Sequence, residues 1–140
     1  MSKQKELKFH KIAEVFPPMD AEEQAAFDAD VEKNGVYEPL MAFNGEIIEG
    51  RHRGRAAKKF DKEVVVQELT EITPGATELD ALAYAVSKNF NRRHINKSQM
   101  AAAVAKTRLL EAEYRRKLGV AEETTEEAEG QAEHVNGTGN

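Results

Sequence analysis

Several basic side chains stand directly behind one glycine, and their types and spacing suit the binding of an anion. Gly50 is followed by Arg51, His52, Arg53 and Arg55. The pattern predicts a strand end at residues 47–48, a pivot at Gly50 and a helix over residues 51–60. The N–H groups of a first helical turn are unpaired and carry partial positive charge. This turn therefore suits a polyanion such as a nucleotide phosphate.

The cations at this predicted helix start are otherwise unfavourably placed. A helix dipole disfavours each positive side chain at its N-terminus by about 0.3–1 kcal/mol, and a bound anion offsets that conflict. One turn back from the apolar residues 56–57 lie Arg53 and, less squarely, His52, so these two are predicted on the core side. The opposite face, toward solvent or a nucleic-acid backbone, is predicted to carry Arg51, Arg55, Lys58 and Lys62. A solvated basic helix face is the alternative, because motifs this short recur by chance.

A second basic cluster occupies residues 88–94, at the end of another predicted helix. That helix is indicated by the spacing of Leu79, Leu82, Ala83, Val86 and Phe90. Asn89 and Arg93 lie four positions apart beside this apolar stripe, so they flank the core side of the helix. The two clusters are far apart in sequence, and only the fold can bring them together.

The elements that position both clusters follow from local signals. Strands are predicted at residues 9–16, 39–43, 46–48 and 64–69. Helices are predicted from the cap at Asp20 to the stop at residues 34–35, over 51–60, from 79 to 90, and over 98–118. Asn44-Gly45 is the strongest hairpin signal in the chain. The order indicates a small α/β or α+β domain, with a short mixed sheet flanked by about four helices.

Composition sets the boundaries of this domain. The chain has 140 residues and no cysteine, so disulfides, thiolate metal sites and cysteine nucleophiles are excluded. We expect a flexible arm over residues 1–8, one domain over 9–118 and a disordered acidic tail over 119–140. The net charge is −5, but residues 121–140 hold six of the 25 acidic groups, which leaves 19 against 20 basic ones before them. No segment approaches the roughly 20 apolar residues of a membrane span, so a cytoplasmic protein without membrane contact is expected.

The two clusters in this order resemble motifs of the ParB/sulfiredoxin superfamily, in particular the N-terminal (ParB-like nuclease) domain of ParB-type partition proteins and its small phage and plasmid forms. The resemblance covers residues 12–105, including Pro39-Leu40, residues 48–57 and residues 89–101. In that family the first motif binds the triphosphate of CTP. The second helps to hold magnesium and phosphates. The resemblance therefore implies a CTP- or ATP/ADP-binding domain with Mg²⁺.

Residue by residue, the match to the family motifs is partial. Gly50 and Arg53 stand at the phosphate-binding glycine and last arginine, His52 replaces the other arginine, and Arg51 stands where the family has glutamate. In the second motif Asn89 and Arg92 match, but Lys88 replaces a glutamate. An ammonium can only be a counter-charge to phosphate, so hydrolysis by the partition-protein route is not expected. The phosphate-binding set that the resemblance implies is Gly50, Arg51, His52, Arg53, Asn89, Arg92 and Arg93.

A second hypothesis is that the protein is an enzyme of the same superfamily. Sulfiredoxin activity is excluded, because Arg51 stands at the essential cysteine. The free-serine kinases of the superfamily carry a similar motif, so a phosphotransferase stays open, as does the DNA nuclease for which the domain is often named. Glu49 is then the candidate catalytic residue. With Asn89 it is also the candidate Mg²⁺ ligand, although it could instead pair with Arg53.

DNA is the expected macromolecular partner. Complete partition proteins continue with a helix-turn-helix reader and a dimerisation domain, whereas this sequence continues into the acidic stretch. DNA contact is therefore expected to be non-specific or through a partner protein. The expected role of the protein is that of a switch or adaptor of a phage, plasmid or bacterial chromosome. A homodimer is one expected assembly. The candidate contacts are Arg51, Arg55, Lys58, Lys59 and Lys97. A third hypothesis is a module that binds nucleic acid without requiring a nucleotide.

Overall fold

Within residues 6–92 and 95–119, the part of the chain that the structure describes, five α-helices and one 3-10 helix surround a three-stranded sheet. The structure is a computed structural model, and it describes only the backbone of Asn91 and Arg92. The elements in chain order are the 3-10 helix Lys11–Glu14, α1 (Ala21–Asn34), β1 (Leu40–Phe43), β2 (Glu46–Glu49), α2 (Arg51–Lys59), β3 (Val66–Glu68), α3 (Leu69–Ile72), α4 (Glu78–Arg92) and α5 (Lys97–Lys117). The predicted small α+β fold with a short mixed sheet is confirmed.

The sheet has the strand order β2-β1-β3, and it is mixed. β1 pairs antiparallel with β2 and parallel with β3. The turn between β1 and β2 is the predicted Asn44-Gly45 pair, and both residues have left-handed backbones, with φ of 51° and 85°. A type I′ hairpin turn needs this conformation at both positions, which is why Asn-Gly is favoured there. The hairpin delivers the end of β2 directly to the start of α2.

Glu68, the last residue of β3, holds the hairpin turn in place. Its carboxylate accepts hydrogen bonds from the N–H groups of Asn44 (3.0 Å) and Gly45 (2.8 Å), and from the N–H and hydroxyl of Thr70. Partial burial raises the pKa of Glu68, but these N–H donors outweigh that effect and the pKa lies below its ordinary value. This contribution to stability is therefore fully present above about pH 4.5, the ordinary pKa of a glutamate, and is lost as the pH falls through the lowered pKa of Glu68.

The sheet has a core on each face, because alternate strand residues point to opposite sides. On one face Met41, Phe43 and Ile48 pack against the 3-10 helix, α4 and α5, with Tyr114 and Leu82 among the buried residues. On the other face lies a smaller cluster of Leu40, Ala42 and Ile47, with Leu7, Phe9 and Val64 packed against it. Ala56 and Ala57 of α2 are also buried. α2 is therefore held by its alanine face, which fixes where its first turn lies.

The predicted strand over residues 9–16 is wrong for all but its first residue. Phe9 forms a single parallel bridge with Ile47, and the chain then turns into the 3-10 helix Lys11–Glu14. His10 starts that helix, because its Nδ1 accepts a hydrogen bond of 3.1 Å from the Ile12 N–H. The apolar residues of this stretch, Ile12, Val15 and Phe16, follow three-and-four spacing and all are buried. This spacing is that of a helix, but the stretch is too short for the spacing alone to distinguish a helical turn from a strand.

The predicted arm is partly in contact with the domain. Residues 1–5 lie outside the described part of the chain, but the Lys8 carbonyl accepts a 2.7 Å hydrogen bond from the Ile47 N–H. Leu7 packs beside Leu40. At the other end, residues 120–140 of the predicted tail also lie outside the described residues.

Helix boundaries were predicted well where a cap marks them. Asp20 accepts a 2.8 Å hydrogen bond from the Glu23 N–H, and Asn96 and Gln99 form a reciprocal capping box at the start of α5. The predicted strand at residues 64–69 is shorter in the structure: β3 covers Val66–Glu68, and Leu69 already begins α3. Across the described segments, no helix combines the length and apolar content that crossing a bilayer requires.

Candidate functional site

Gly50 sets the geometry of the candidate site. It has φ of 103° and immediately precedes α2, whose start carries no side-chain cap and no acidic residue in its first turn. A Cβ at this position would lie 2.5 Å from Leu40 Cδ2 and 3.1 Å from Arg53 Nη2. Glycine is therefore required both by the backbone and by the space around it. As at any helix start, the first N–H groups of α2 have no acceptor within the helix itself.

A cleft of about 210 Å³ opens at this helix start. Its polar side is formed by the end of β2, the first turn of α2 and two residues of α4: Glu49, Gly50, Arg51, His52, Arg53, Lys88 and Asn89. Its apolar side comes from the 3-10 helix, α1, β2 and the chain between the two helices: Ala13, Phe16, Met19, Phe27 and Ile48, with the carboxylate of Glu23 at the α1 edge. The two sequence clusters, distant in the chain, thus line one cavity.

Arg53 is held in an ion pair with Glu49. Its Nη2 lies 2.8 Å from Glu49 Oε2 and donates a second hydrogen bond of 3.0 Å to the Pro39 carbonyl, and its Nη1 is 3.8 Å from Glu38 Oε2. Both side chains of the pair are mostly buried, with 18 % of Arg53 and 8 % of Glu49 exposed. Of the two roles that the sequence left open for Glu49, the structure has it paired with Arg53.

Arg51 does not face solvent, so its predicted position on the outer face of α2 is wrong. The residue is 8 % exposed, and its Nη2 donates a 3.2 Å hydrogen bond to the carbonyl of Phe16. Side chains on a helix lean toward its N-terminus, so the first residue overhangs the preceding turn. The Arg51 side chain therefore extends back past the helix start and contacts the chain after the 3-10 helix. Its charge lines the cleft and is not available to a nucleic-acid backbone.

The residues of α4 complete the polar side. The Asn89 side-chain amide donates a 2.8 Å hydrogen bond to the Ala85 carbonyl one turn earlier. The Lys88 ammonium lies 5.6 Å from the centre of the Tyr84 ring and also lines the cleft. His52 is half-buried and also lines the cleft. Of the other predicted phosphate ligands, Arg93 and the side chain of Arg92 lie outside the described residues.

The charges around the cleft favour an anion. Arg51, Arg53 and Lys88 face Glu23 and Glu49, which leaves a positive excess before His52 is counted. In the described part of the chain, no group of three or more His, Asp or Glu side chains is placed to hold a metal ion. One carboxylate and one amide oxygen, from Glu49 and Asn89, fit a Mg²⁺ ion only if polyphosphate oxygens supply further ligands.

The predicted nucleic-acid contacts are divided between two helices. Arg55, Lys58 and Lys59 lie exposed on the outer face of α2, whereas Lys97 begins α5. Lys59 forms a 3.0 Å ion pair with Asp28 of α1, and the Arg55 guanidinium lies 5.5 Å from the Phe9 ring centre. Arg55 and Lys58 therefore remain as a small basic face on α2, behind the helix turn that borders the cleft.

Sequence reasoning missed the apolar wall of the cleft. Val31 is the buried residue of α1, whereas Phe27 is only partly covered and borders the cleft. Glu23 also borders the cleft, and its backbone N–H is bound by the Asp20 cap. One sequence signal could have indicated this wall: the apolar residues of α1 are mostly alanine, whereas a helix that buries a full face usually carries larger apolar side chains.

The fold and the cleft together define a small α+β domain with a cationic cleft at a glycine-started helix. Comparisons with protein-family models, with curated proteins and with solved structures found no match to this chain.

Proposed function

We propose that this protein binds a nucleotide, CTP or ATP/ADP with Mg²⁺, with the phosphates on the first turn of α2, as in the ParB-like domains that its motifs resemble. The observation that carries the proposal is the meeting of both motifs at one cleft, which is lined by residues 50–53 and by Lys88 and Asn89. Unpaired N–H groups and cations of this kind are what phosphate oxygens require.

The Glu49–Arg53 pair fits this proposal in a specific way. A phosphate competes with the carboxylate of Glu49 for the Arg53 guanidinium, since both are oxyanions. Mg²⁺ in proteins is commonly bound by one or two carboxylates together with substrate phosphates. A magnesium nucleotide therefore offers each member of the pair a new partner, whereas a metal-free anion offers one only to Arg53. Binding should accordingly be stronger with Mg²⁺ than without it.

Calorimetry with CTP, ATP, ADP and GTP at physiological Mg²⁺ tests the proposal. Lys88→Gln should weaken the binding of the preferred nucleotide about tenfold, because it removes one charged contact to phosphate in the cleft. Lys58→Gln is the matched control, since Lys58 is exposed on the outer face of α2, and it should leave the affinity unchanged. Absence of binding by all four nucleotides to the wild-type protein would end the proposal.

We further propose that the domain contacts DNA through the outer face of α2, as a nucleotide-dependent switch or adaptor. The exposed Arg55 and Lys58 support this, because they lie on the helix whose first turn borders the cleft. With nucleotide present, Arg55→Gln and Lys58→Gln should each reduce the salt slope of binding to a labelled duplex by about 0.9. Fluorescence anisotropy across a salt series measures this slope.

Lys106→Gln serves as the control for the DNA measurement, because Lys106 is exposed on α5 and is not part of this face. It should leave the slope unchanged. DNA binding that is equally strong with and without nucleotide would contradict the switch and favour a nucleotide-independent nucleic-acid-binding module.

A further inference from the structure

A second cavity, of about 340 Å³, adjoins the cleft on the far side of Arg53. It lies between α1 and the loop that leads into β1, and its lining includes Val31, Gly35, Val36 and Tyr37. Arg53 and Phe27 line both cavities, so the two lie side by side and share a wall. A single extended ligand can therefore contact both of them across Arg53.

The two cavities differ in charge. The cleft at the start of α2 carries the cationic excess, whereas the second cavity is lined by Asp30 and Glu38, with Arg53 as its cation. Phosphate is favoured in the first and disfavoured in the second. Carboxylates accept hydrogen bonds from hydroxyl and amino groups, which are the donors that a ribose and a base present. The charge pattern thus assigns opposite ends of a nucleotide to the two cavities.

Size leads to the same division. Pockets for small-molecule ligands are usually about 300–1,000 Å³, and the first cleft at about 210 Å³ falls below that range. It has room for phosphates, but a whole nucleoside triphosphate needs the adjoining space. Arg53, placed on the boundary, is positioned to contact the ligand between its phosphate and nucleoside ends.

Tyr37 supplies a surface for the base. Its side chain is 82 % exposed although it lines the second cavity, whereas Tyr114 is fully buried. A large exposed aromatic ring costs hydrophobic free energy that covering by a ligand would recover. Every nucleobase has a π-face, and stacking on an aromatic side chain contributes about 1–3 kcal/mol per base.

We infer that the nucleoside of the bound nucleotide occupies this second cavity, with its base stacked on the ring of Tyr37. The inference rests on the proposed function, since it assigns the other half of the same ligand. It makes Tyr37 a determinant of base binding that does not contact the phosphates.

The experiment compares two probes on three proteins. The probes are the preferred nucleotide and inorganic tripolyphosphate, both with Mg²⁺, and the proteins are the wild type, Tyr37→Ala and Tyr37→Phe. Because Tyr37 is exposed, neither substitution disturbs the core. Tyr37→Ala should weaken nucleotide binding roughly 5- to 150-fold, the range that corresponds to loss of one stacked base. Tyr37→Phe, which keeps the ring, should bind nucleotide within about twofold of wild type, and tripolyphosphate affinity should be the same in all three.

The outcomes separate this inference from the proposed function. If the wild-type protein binds nucleotide and Tyr37→Ala binds it equally well, the nucleoside lies elsewhere and only the inference is overturned. An equal loss of tripolyphosphate and nucleotide binding in Tyr37→Ala also overturns it, because the residue then supports the phosphate site. If neither probe binds the wild-type protein, the proposed function fails and the inference fails with it.

Discussion

Replacing Gly50 with alanine is expected to lower the free energy of unfolding by about 3 kcal/mol. The residue has φ of 103°, a conformation in which a side chain costs roughly 1–2 kcal/mol. In addition, the new Cβ would lie 2.5 Å from Leu40 Cδ2, and Leu40 is completely buried. Overpacking of this kind usually adds about 1–3 kcal/mol, since the neighbours cannot move aside without strain. Urea unfolding of the two proteins measures the difference.

Gly75→Ala separates the cost of backbone strain at Gly50 from the cost of the close contact with Leu40. Gly75 also has a left-handed backbone, with φ of 83°, but a Cβ there would meet nothing within 4 Å. Its substitution should therefore cost only the backbone strain. The steric part is tested by Leu40→Ala, since the loss from Gly50→Ala should shrink when Leu40 is already truncated. Equal losses for Gly50→Ala and Gly75→Ala would show that the contact with Leu40 costs nothing.

The parts of this fold that the sequence predicted are those with local causes. The Asn44-Gly45 turn, the Asp20 cap and the capping box at Asn96 each depend on residues within four positions of one another. Each conformation is favoured by the residue types of its own short segment, and the hydrogen bonds from Asn44 and Gly45 to Glu68 add to a turn that Asn-Gly already favours. Tertiary contacts therefore had little to change at these places.

The errors occurred where distant contacts decided the conformation. The stretch after Phe9 carries an apolar pattern that suits a short strand or a helical turn, and its residues Ile12, Val15 and Phe16 are buried in a core whose other members lie far along the chain. Arg51 was placed outward from helical spacing alone, but its partner is the Phe16 carbonyl, 35 positions earlier in the chain. No pattern within a helix reports a partner that distant.

The candidate site contains features that the local sequence predicts and features that depend on distant contacts. The glycine and the cations around it were identified from sequence, and Lys88 and Asn89 were placed in the same motif set by resemblance. That they share a cleft with residues 50–53 depends on the packing of α4 against β2, which is a tertiary fact. The neutralisation of Arg53 by Glu49 was one of two open alternatives, because a side chain four positions away on another element can pair or remain apart.

Truncation of Tyr114 to alanine is expected to have the largest effect on stability, a loss of about 3–5 kcal/mol. Tyr114 is a fully buried side chain on α5, in the main core cluster with Ile12 and Leu82. Its ring lies edge-on to His10 at a centroid distance of 6.4 Å, so it joins α5 to the start of the 3-10 helix. Removing a large aromatic side chain from a packed core leaves a cavity that the surroundings only partly fill. Thermal or urea unfolding measures the loss.

Tyr114→Phe should have the opposite sign. The Tyr114 hydroxyl is buried and has no hydrogen-bond partner among the described residues, so removing it should raise the free energy of unfolding by about 1 kcal/mol. Burial, and then the charges of Glu78 and Glu113, raise the pKa of Tyr114. Above about pH 10 the unfolded chain loses this proton while the folded protein retains it, so the stability of the wild type falls with rising pH. The phenylalanine variant lacks this loss, and its advantage should widen as the pH passes 10. A destabilised Tyr114→Phe at neutral pH would mean that the hydroxyl is hydrogen-bonded in the folded protein.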